Sequence, residues 1–331
     1  MNRSELLFLY DITDANPNGD PMDENKPRID EETGINLVTD VRLKRTIRDY
    51  LHETKNEEIF VREIRDENDN LQDAKLRAED FLHNESKDKL DKSKMTIAEM
   101  KNIIGQNVLK KCIDVRLFGA TIPLEKKEGS KTLGGSLTYT GPVQFKMGRS
   151  MHAVNMVHIK GTGAFASDKA KSQATFREEY ILSYSLICFY GIINENAAAH
   201  TELRGKEDVD LLLEAMWKGT KGLTSRSKAG QMPRLLFRVI YKKKDYHIGE
   251  LDKYIKLKKI DKNTRDEELR DISEVQVDIT DLINKLVANR EKVDRVEYAI
   301  DSRVTLVKDG EICNLQKGMK EISFIALSFN N

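Results

Sequence analysis

The 331-residue chain opens with an apolar, nearly continuous run from Leu6 to Ile12. Such a run predicts a strand buried on both faces, central in a sheet. Asn16-Pro17-Asn18-Gly19-Asp20-Pro21 follows as a dense turn signal, and polar loop continues to Gly34. Thr39 can then cap a helix over Asp40 to Leu51, with an acid in its first turn. On a helical wheel Leu43, Ile47, Tyr50 and Leu51 share one face. Arg42, Arg45 and Arg48 lie on the other, with Lys44 flanking.

Residues 55 to 111 are rich in Lys, Asp, Glu and Asn, with sparse apolar positions, and read as a helical insertion, partly mobile. Asp114 to Ala120 and Gly141 to Phe145 look like core strand pieces around a Gly-rich loop, Gly129 to Gly135. Val154 to Lys160 is strand-like. Gly161 to Thr175 is small, polar and lysine-bearing, with Phe165 its one large apolar residue, and predicts a projecting loop or hairpin. Tyr180 to Ile193 is a long apolar run that fits a central strand or a buried helix. Val209 to Trp217 reads as an amphipathic helix, Leu235 to Tyr241 as a strand and Asp278 to Ala288 as a helix. Asp245 to Arg270 is charged and weakly periodic. Arg295 to Val307 and Glu321 to Phe329 alternate like half-buried strands. Strands and helices interleave without a regular βαβ rhythm, so the class expected is α+β.

Charge changes the picture more than composition does. Lys plus Arg and Asp plus Glu both total 55, so the formal net charge is zero. A nucleic-acid binder usually carries a basic excess. Here the charge is segregated instead. Trp217 to Lys244 holds nine basic residues and no acidic one, and Lys131 to Ala174 holds six against Asp168 alone. Asp11 to Glu32 holds eight acids against Lys26 and Arg28. A polyanion could use the basic segments, together with the 42–48 helix face, if folding gathers them. Otherwise they are solvated faces.

Other chemistry is thinly represented. Cys112, Cys188 and Cys313 show no zinc or redox spacing and read as buried thiols of a cytoplasmic protein. The N-terminus does not read as a signal peptide, and no apolar stretch approaches a membrane span. Asp14 to Gly19 resembles the start of an EF-hand loop, but the twelfth position is Asn25, not the required Glu. Asp11, Asp14, Asp20 and Asp23 could suggest a two-metal site, yet no partner constellation follows them. No phosphate-cradling glycine fingerprint exists. No metal or cofactor is therefore expected. His152 and His158 flank a strand-like segment without a nucleophile to serve, and Trp217 reads as core.

One string is far more specific. Asp11 to Pro21, then Pro27-Arg28, Thr33-Gly34 and Leu37 to Tyr50, resembles the N-terminal signature of CRISPR Cascade backbone subunits of the Csd/Csh lineage. Asp114 to Ala120 and Gly141 to Phe145, followed by Gly148-Arg149-Ser150, are similar to that family's second and third signatures. The likeness runs from Leu6 to about Tyr241, and the charged C-terminal region looks more like the type I-B branch than type I-C.

The resemblance implies an RRM-like (ferredoxin-like) palm with a helical finger and a protruding thumb hairpin. On that scheme 1–54 is the first part of the palm and 55–111 the finger. Residues 112–250 are the second part, with the thumb near 155–180, and 251–331 is an extension returning to the palm. The family's subunits do no chemistry. They polymerise head to tail along crRNA and leave its bases to pair with target DNA. Other Cascade subunits and a recruited helicase-nuclease complete the system. RNA contacts are then expected from Thr39, Arg42, Lys44, Arg45 and Arg48 on the helix and from Asn16 and Asn18 in the loop before it. Arg149 and Ser150 would face the groove. Phe165, Lys169 and Lys171 would act in the thumb, with Phe165 a wedge against a base. Arg226 and Lys228 would give a second phosphate contact. The acidic 11–32 segment could face a neighbouring copy. Asp168 stands where some wider relatives carry a catalytic acid, but cleavage is not expected. Two other readings compete with this one: a metal-dependent endoribonuclease that processes precursor crRNA, and a calcium-stabilised assembly protein.

Overall fold

The N-terminal apolar run becomes strand β1 (Ser4–Ala15), with Leu6, Leu7, Phe8 and Leu9 fully buried. The structure is a computed structural model describing residues 2–65, 69–128, 131–162, 176–315 and 321–329. After β1 come β2 (Ile29–Asp30), β3 (Ile35–Val38) and helix α1 (Asp40–Lys55). Then follow α2 (Ala74–Glu79), α3 (Ile97–Lys111), α4 (Ile113–Phe118) and the hairpin β4 (Gly119–Glu128) and β5 (Lys131–Thr140). The chain continues through β6 (Gly148–Ala153), β7 (Met156–Thr162), β8 (Phe176–Ile193), α5 (Glu195–His200) and α6 (Lys206–Glu214). Its last part holds β9 (Met232–Tyr241), β10 (Lys256–Lys259), β11 (Val275–Asp278), α7 (Thr280–Ala288), β12 (Val293–Ile300), β13 (Leu306–Lys308) and β14 (Phe324–Ala326). This is a mixed α+β fold.

The chain divides into two compact units, and the division falls inside α1, between Thr46 and Ile47. The larger unit comprises Asn2–Thr46, Phe145–Ile192 and Met216–Asn331. It is built on a large sheet in the order β14-β12-β9-β1-β8-β6-β3-β2, with β7 paired to β8. β1 pairs with β9 in antiparallel register, Leu7 opposite Phe237 and Leu9 opposite Leu235. Leu7 and Leu9 pack in a core with Val239, Val296, Leu282 and Leu286, so α7 covers this part of the sheet. A strand flanked on both edges and covered on both faces explains the continuous apolar run.

Two carboxylates on β1 are buried, and each is fully engaged. Glu5 accepts bonds from the Tyr190 and Tyr241 hydroxyls and from the backbone N–H groups of Ile248 and Gly249, both at 2.9 Å. Asp11 pairs with Arg234 at 2.9 Å and accepts from the Tyr184 hydroxyl at 3.1 Å. Arg234 also reaches Asp301 at 2.5 Å. Buried charges persist only with such partners.

The second unit comprises Ile47–Gln144 and Ile193–Ala215 with a core of Phe60, Phe81, Met100, Ile104, Val108, Ile122 and Leu124. α3 starts at a capping box: the Thr96 Oγ1 accepts from the Glu99 N–H at 3.2 Å, and the Glu99 carboxylate accepts from the Thr96 N–H at 2.7 Å. Arg116 and Asp208 form a fully buried bidentate pair with both contacts at 2.8 Å. Arg116 also donates to the Leu109 carbonyl at 3.0 Å, and Asp208 accepts from the Arg204 N–H at 2.8 Å.

Several expected elements are corrected. Asp114 to Phe118 is helix, not strand. Every residue of α4 is buried, and the Asp114 carboxylate accepts from the N–H groups of Phe60 (2.8 Å) and Val61 (3.1 Å). The six residues Ile113 to Phe118, with Asp114 and Arg116 between apolar neighbours, are too few for periodicity to decide. Gly134 and Gly135 are not loop but strand: they lie opposite Glu125 and Leu124 in the β4/β5 hairpin. A Cβ at Gly135 would stand 3.0 Å from Ile97 Cγ2 and 3.1 Å from Lys101 Cε, so glycine there admits α3 against the hairpin. Tyr180 to Ile193 resolves as strand. Arg295 to Val307 is two strands rather than one, broken after Ile300. The helix expected over Val209 to Trp217 ends at Glu214, and Trp217 sits in a π-helical turn, Ala215–Gly219. Residues 163–175, the centre of the expected thumb, lie outside the described residues.

Asp208→Ala leaves Arg116 charged and buried without its partner. It should lower unfolding free energy by about 3–5 kcal/mol, read from urea denaturation; a loss below about 1 kcal/mol would mean the pair is not structural. Asp278 gives a pH signature. Its carboxylate accepts from the Thr280 N–H at 2.9 Å and Oγ1 at 2.6 Å and meets Lys258 at 2.5 Å. Burial pushes its pKa up, but Lys258 and Thr280 prevail and bring it down to about 2. A depressed carboxyl stabilises the fold above its ordinary value of 3.8, and that contribution is lost as pH falls toward about 2. Thermal melts across this interval should lose less stability in Asp278→Asn than in the native chain; equal slopes would count against it.

Candidate nucleic-acid interface

Where β1 ends, the chain turns through Asn16, Pro17 and Asn18. Asn16 is buried: its N–H donates to the Ser227 carbonyl at 2.7 Å, and its side-chain amide donates to the Asn25 carbonyl at 2.7 Å. The Asn16 Oδ1 is buried with no hydrogen-bond partner among the described residues. Asn18 Oδ1 accepts from both the Thr39 N–H at 2.8 Å and the Thr39 hydroxyl at 2.9 Å. Thr39 Oγ1 in turn accepts from the Arg42 N–H at 3.3 Å, the N-cap bond foreseen for this helix. The loop therefore fixes the start of α1, and α1 presents Arg42, whose guanidinium donates to Thr46 Oγ1 at 2.9 Å.

The same loop joins the basic segment. Through the Asn16–Ser227 bond it lies beside Lys228, which donates to Ser227 Oγ at 3.1 Å. Burial, then the Arg42 charge, push the Lys228 ammonium below the ordinary lysine value. Three stretches far apart in sequence thus bring together Asn16, Asn18, Thr39, Arg42 and Lys228. Two like charges near buried polar groups form a place suited to an anion. A side chain that binds phosphate in this way holds a backbone without reading its sequence.

The remaining expected contacts are distributed elsewhere. Arg45 is exposed, and Lys44 pairs with Asp40 at 3.0 Å. Arg48 is mostly buried, pairs with Asp114 at 3.0 Å and lies 5.3 Å over the Phe118 ring. The cause is helical geometry: each residue advances about 100°, so steps of three drift, and Arg48 stands about 120° around from Arg42. Arg149 and Ser150 are adjacent on β6 and point to opposite faces. Arg149 is exposed and 3.6 Å from Asp30. Ser150 is buried, accepting from the Asn36 N–H at 2.9 Å and donating to the His152 carbonyl at 2.6 Å. Arg226 is exposed, 4.0 Å from Glu179. Phe165, Lys169 and Lys171 lie outside the described residues, as does Asp168.

Sequence reasoning missed two members of this neighbourhood. Arg28 Nε is buried without a hydrogen-bond partner among the described residues, while the guanidinium pairs with Asp20. In the sequence it reads as a counterion in an acidic stretch and as part of the Pro27-Arg28 signature, with no contact assigned to it. Ser227 contributes a backbone carbonyl, which no side-chain pattern encodes. The 20–26 loop is also tied to the base of the β7/β8 hairpin. Tyr180 donates to Glu24 at 3.0 Å, lies under Lys26 at 5.2 Å and stacks on His158 at 4.4 Å. Among the described residues no group of three or more His, Cys, Asp or Glu is placed to hold a metal ion. No helix among them is long and apolar enough to cross a membrane.

The architecture defines a mixed α+β protein with a large sheet, and comparison with known proteins places it further. The family described as CRISPR-associated protein Cas7 matches residues 2–280. A relative from Haloferax volcanii, itself described as CRISPR-associated protein Cas7, is 33% identical over 318 residues, covering 92% of this chain and 89% of its own. The chain belongs to the Cas7 family. Among solved structures, a chain of a "CRISPR RNA-guided surveillance complex, pre-nicking" superposes with TM-score 0.48 at 11% identity, covering 93% of this chain and 96% of its own. A chain of a "CRISPR RNA-guided surveillance complex" gives 0.46 at 12%, covering 93% and 95%. Membership rests on the family match and the Haloferax volcanii relative, not on these superpositions.

The coupling of Arg42 and Lys228 can be measured without any ligand. In lysine side-chain NMR titrations Lys228 should lose its proton at lower pH than the exposed lysines, and Arg42→Ala should move it part of the way back. An unmoved titration would separate the two residues and dissolve the proposed anion site.

Proposed function

We propose that this chain is a non-catalytic, crRNA-binding backbone subunit of a type I CRISPR surveillance complex, Cascade, closer to type I-B. Copies of it polymerise head to tail along one crRNA in the cytoplasm and present the spacer for pairing with target DNA. Other Cascade subunits and a helicase-nuclease complete the assembly. Family membership supports the class. The observation that carries the RNA-binding reading is the convergence of Asn16, Asn18 and Thr39 with Arg42 and Lys228.

The RRM-like palm is part of the same reading. Taken in chain order as β1, α1, β6, β8, the α5/α6 helices and β9, the central strands lie β9-β1-β8-β6 in space. This order supports a split βαβ, ferredoxin-like reading of the sheet. The palm then comprises residues 1–54 and 112–250, the finger 55–111 and the C-terminal extension 251–331. The β7/β8 hairpin, paired from Met156–Leu182 to Thr162–Phe176, is the base of the thumb near 155–180. Arg45, Arg149 and Arg226 add exposed positive charge for the RNA backbone. Lys44 and Arg48, each held by an acid, serve the helix as well.

The test is salt-resolved binding of purified chain to several unrelated single-stranded RNAs. Arg42→Glu and Lys228→Glu should each weaken every RNA alike, by about tenfold at low salt, and lower the slope of log K against log salt by about one. Binding indifferent to salt, or loss confined to some sequences, would overturn the phosphate-contact assignment.

A further inference from the structure

The fold divides the basic run that ends at Lys244. Lys228 precedes β9 and stands at the Asn16 turn, while Arg234 and Arg238 on β9 are consumed by Asp11 and Glu297. Lys242, Lys243 and Lys244 follow β9. Ten residues of strand, at about 3.3 Å each, put them roughly 30 Å from the turn that carries Lys228. The RNA contacts proposed above leave these three unused. A second element joins them. The Lys242 N–H donates to the Lys292 carbonyl at 2.8 Å, which sets the triplet against the segment after α7. Arg290 and Lys292 in that segment are exposed, as are all three lysines. None of the five forms an ion pair among the described residues.

The acids beside them offset little. Asp245 meets Arg3 at 3.3 Å, Asp294 meets Arg295 at 2.5 Å, and Glu291 stands exposed among the cations. By contrast Lys256, Lys258 and Lys259 each meet an acid: Asp281, Asp278 and Asp266. Cations gathered without counterions repel one another and favour a polyanion. The make-up of the patch says which. Lysine dominates it, a residue depleted at protein interfaces, and no large apolar side chain is exposed over 242–254 or 285–293. An acidic protein would find charge there but no anchor. A single strand needs rings on which successive bases stack. Tyr246 and Tyr254 are half-buried, with Lys292 and Lys285 over them at 4.4 Å and 5.5 Å. His247 is exposed, but one ring does not make a series. What remains is phosphate contact by point charges. That suits a double helix, which carries one charge per about 1.7 Å of its axis.

We infer that Lys242, Lys243, Lys244, Arg290 and Lys292 form a docking surface for the sugar-phosphate backbone of duplex DNA, indifferent to sequence and separate from the RNA contacts. The surface goes beyond the RNA-binding reading and does not rest on it. It takes duplex whether or not Arg42 and Lys228 hold RNA.

The test titrates the full chain into a labelled short DNA duplex of arbitrary sequence at several salt concentrations, with a single-stranded RNA in parallel. The native chain should bind duplex with a Kd of about 10⁻⁴–10⁻⁶ M at physiological salt. Lys242→Glu with Lys243→Glu and Lys244→Glu should weaken duplex binding about tenfold or more. It should also lower the slope of log K against log salt by about two to three. Arg290→Glu with Lys292→Glu, on the second element, should lower that slope by about two, which keeps the result readable if the triplet variant misfolds. Both should leave RNA affinity nearly unchanged, since roughly 30 Å is about three Debye lengths at 0.1 M salt. A control with the same change in net charge, Lys94→Glu with Lys206→Glu and Lys262→Glu at scattered exposed positions, should keep duplex binding. Native duplex affinity in both patch variants, or equal loss in the scattered control, would overturn the surface. Parallel loss of RNA binding would overturn it too, by making the patch part of the RNA path. Duplex binding lost in the patch variants with RNA binding kept supports it. A native chain that binds duplex through this patch and binds no RNA would sink the RNA reading alone.

Discussion

The double burial of β1 is the constraint on which much of the larger unit depends. A strand with no solvent face cannot shed its polar groups into water. Yet β1 carries Glu5 and Asp11, and each must find donors inside. Glu5 gathers two tyrosine hydroxyls and two backbone N–H groups, from Tyr190, Tyr241, Ile248 and Gly249. Asp11 gathers Arg234 and Tyr184. Those partners come from β8, β9 and the loop after β9, so satisfying two carboxylates also fixes the neighbouring strands. The Asn16–Asn18 turn leaves from the end of this strand, and its position is inherited from it.

Asparagine is the second organising device. Asn18 caps the helix by accepting from Thr39, the Asn16 amide donates to the Asn25 carbonyl, and the buried Asn36 amide donates to the Arg28 carbonyl and accepts from the Ser185 hydroxyl. An amide side chain offers donors and an acceptor without net charge, so it joins loops without adding to the repulsion between Arg42 and Lys228. Much of the basic complement is consumed internally: Arg116 by Asp208, Arg234 by Asp11, Arg48 by Asp114, Arg238 by Glu297.

How much of this was legible depended on residue type and spacing. β1 and the cap at Thr39 announce themselves by an apolar run and by capping chemistry, while the run that becomes β8 leaves strand and buried helix equally open. The α4 helix did not announce itself, because Ile113 to Phe118 is only six residues long and its alternation of apolar residues with Asp114 and Arg116 imitates a strand; its identity is decided by where Asp114 and Arg116 find partners. The β4/β5 hairpin was hidden by glycines that read as loop but serve close packing against α3. At the site, Arg42 and Lys228 were legible as basic residues, and their proximity was not, since 186 positions separate them. Arg48 shares the polar half of the wheel with Arg42 but stands at its other edge, and a wheel says nothing of the buried acid waiting at position 114. Arg149 and Ser150 looked like a pair until strand alternation set them on opposite sides.

The partners of β1 also bear on how the chain is made. Glu5 completes its bonds with Ile248 and Gly249, 243 and 244 residues downstream, and β1 pairs with β9 near the same point. At ribosomal rates of about 5–20 residues per second, roughly ten to fifty seconds pass between the emergence of β1 and that of its partners. During that interval its fully apolar stretch has no native cover on the β9 side. The strand that anchors the finished sheet is thus open to chaperones and to wrong pairing during synthesis, and the rate at which ribosomes traverse the codons between β1 and β9 becomes a determinant of yield.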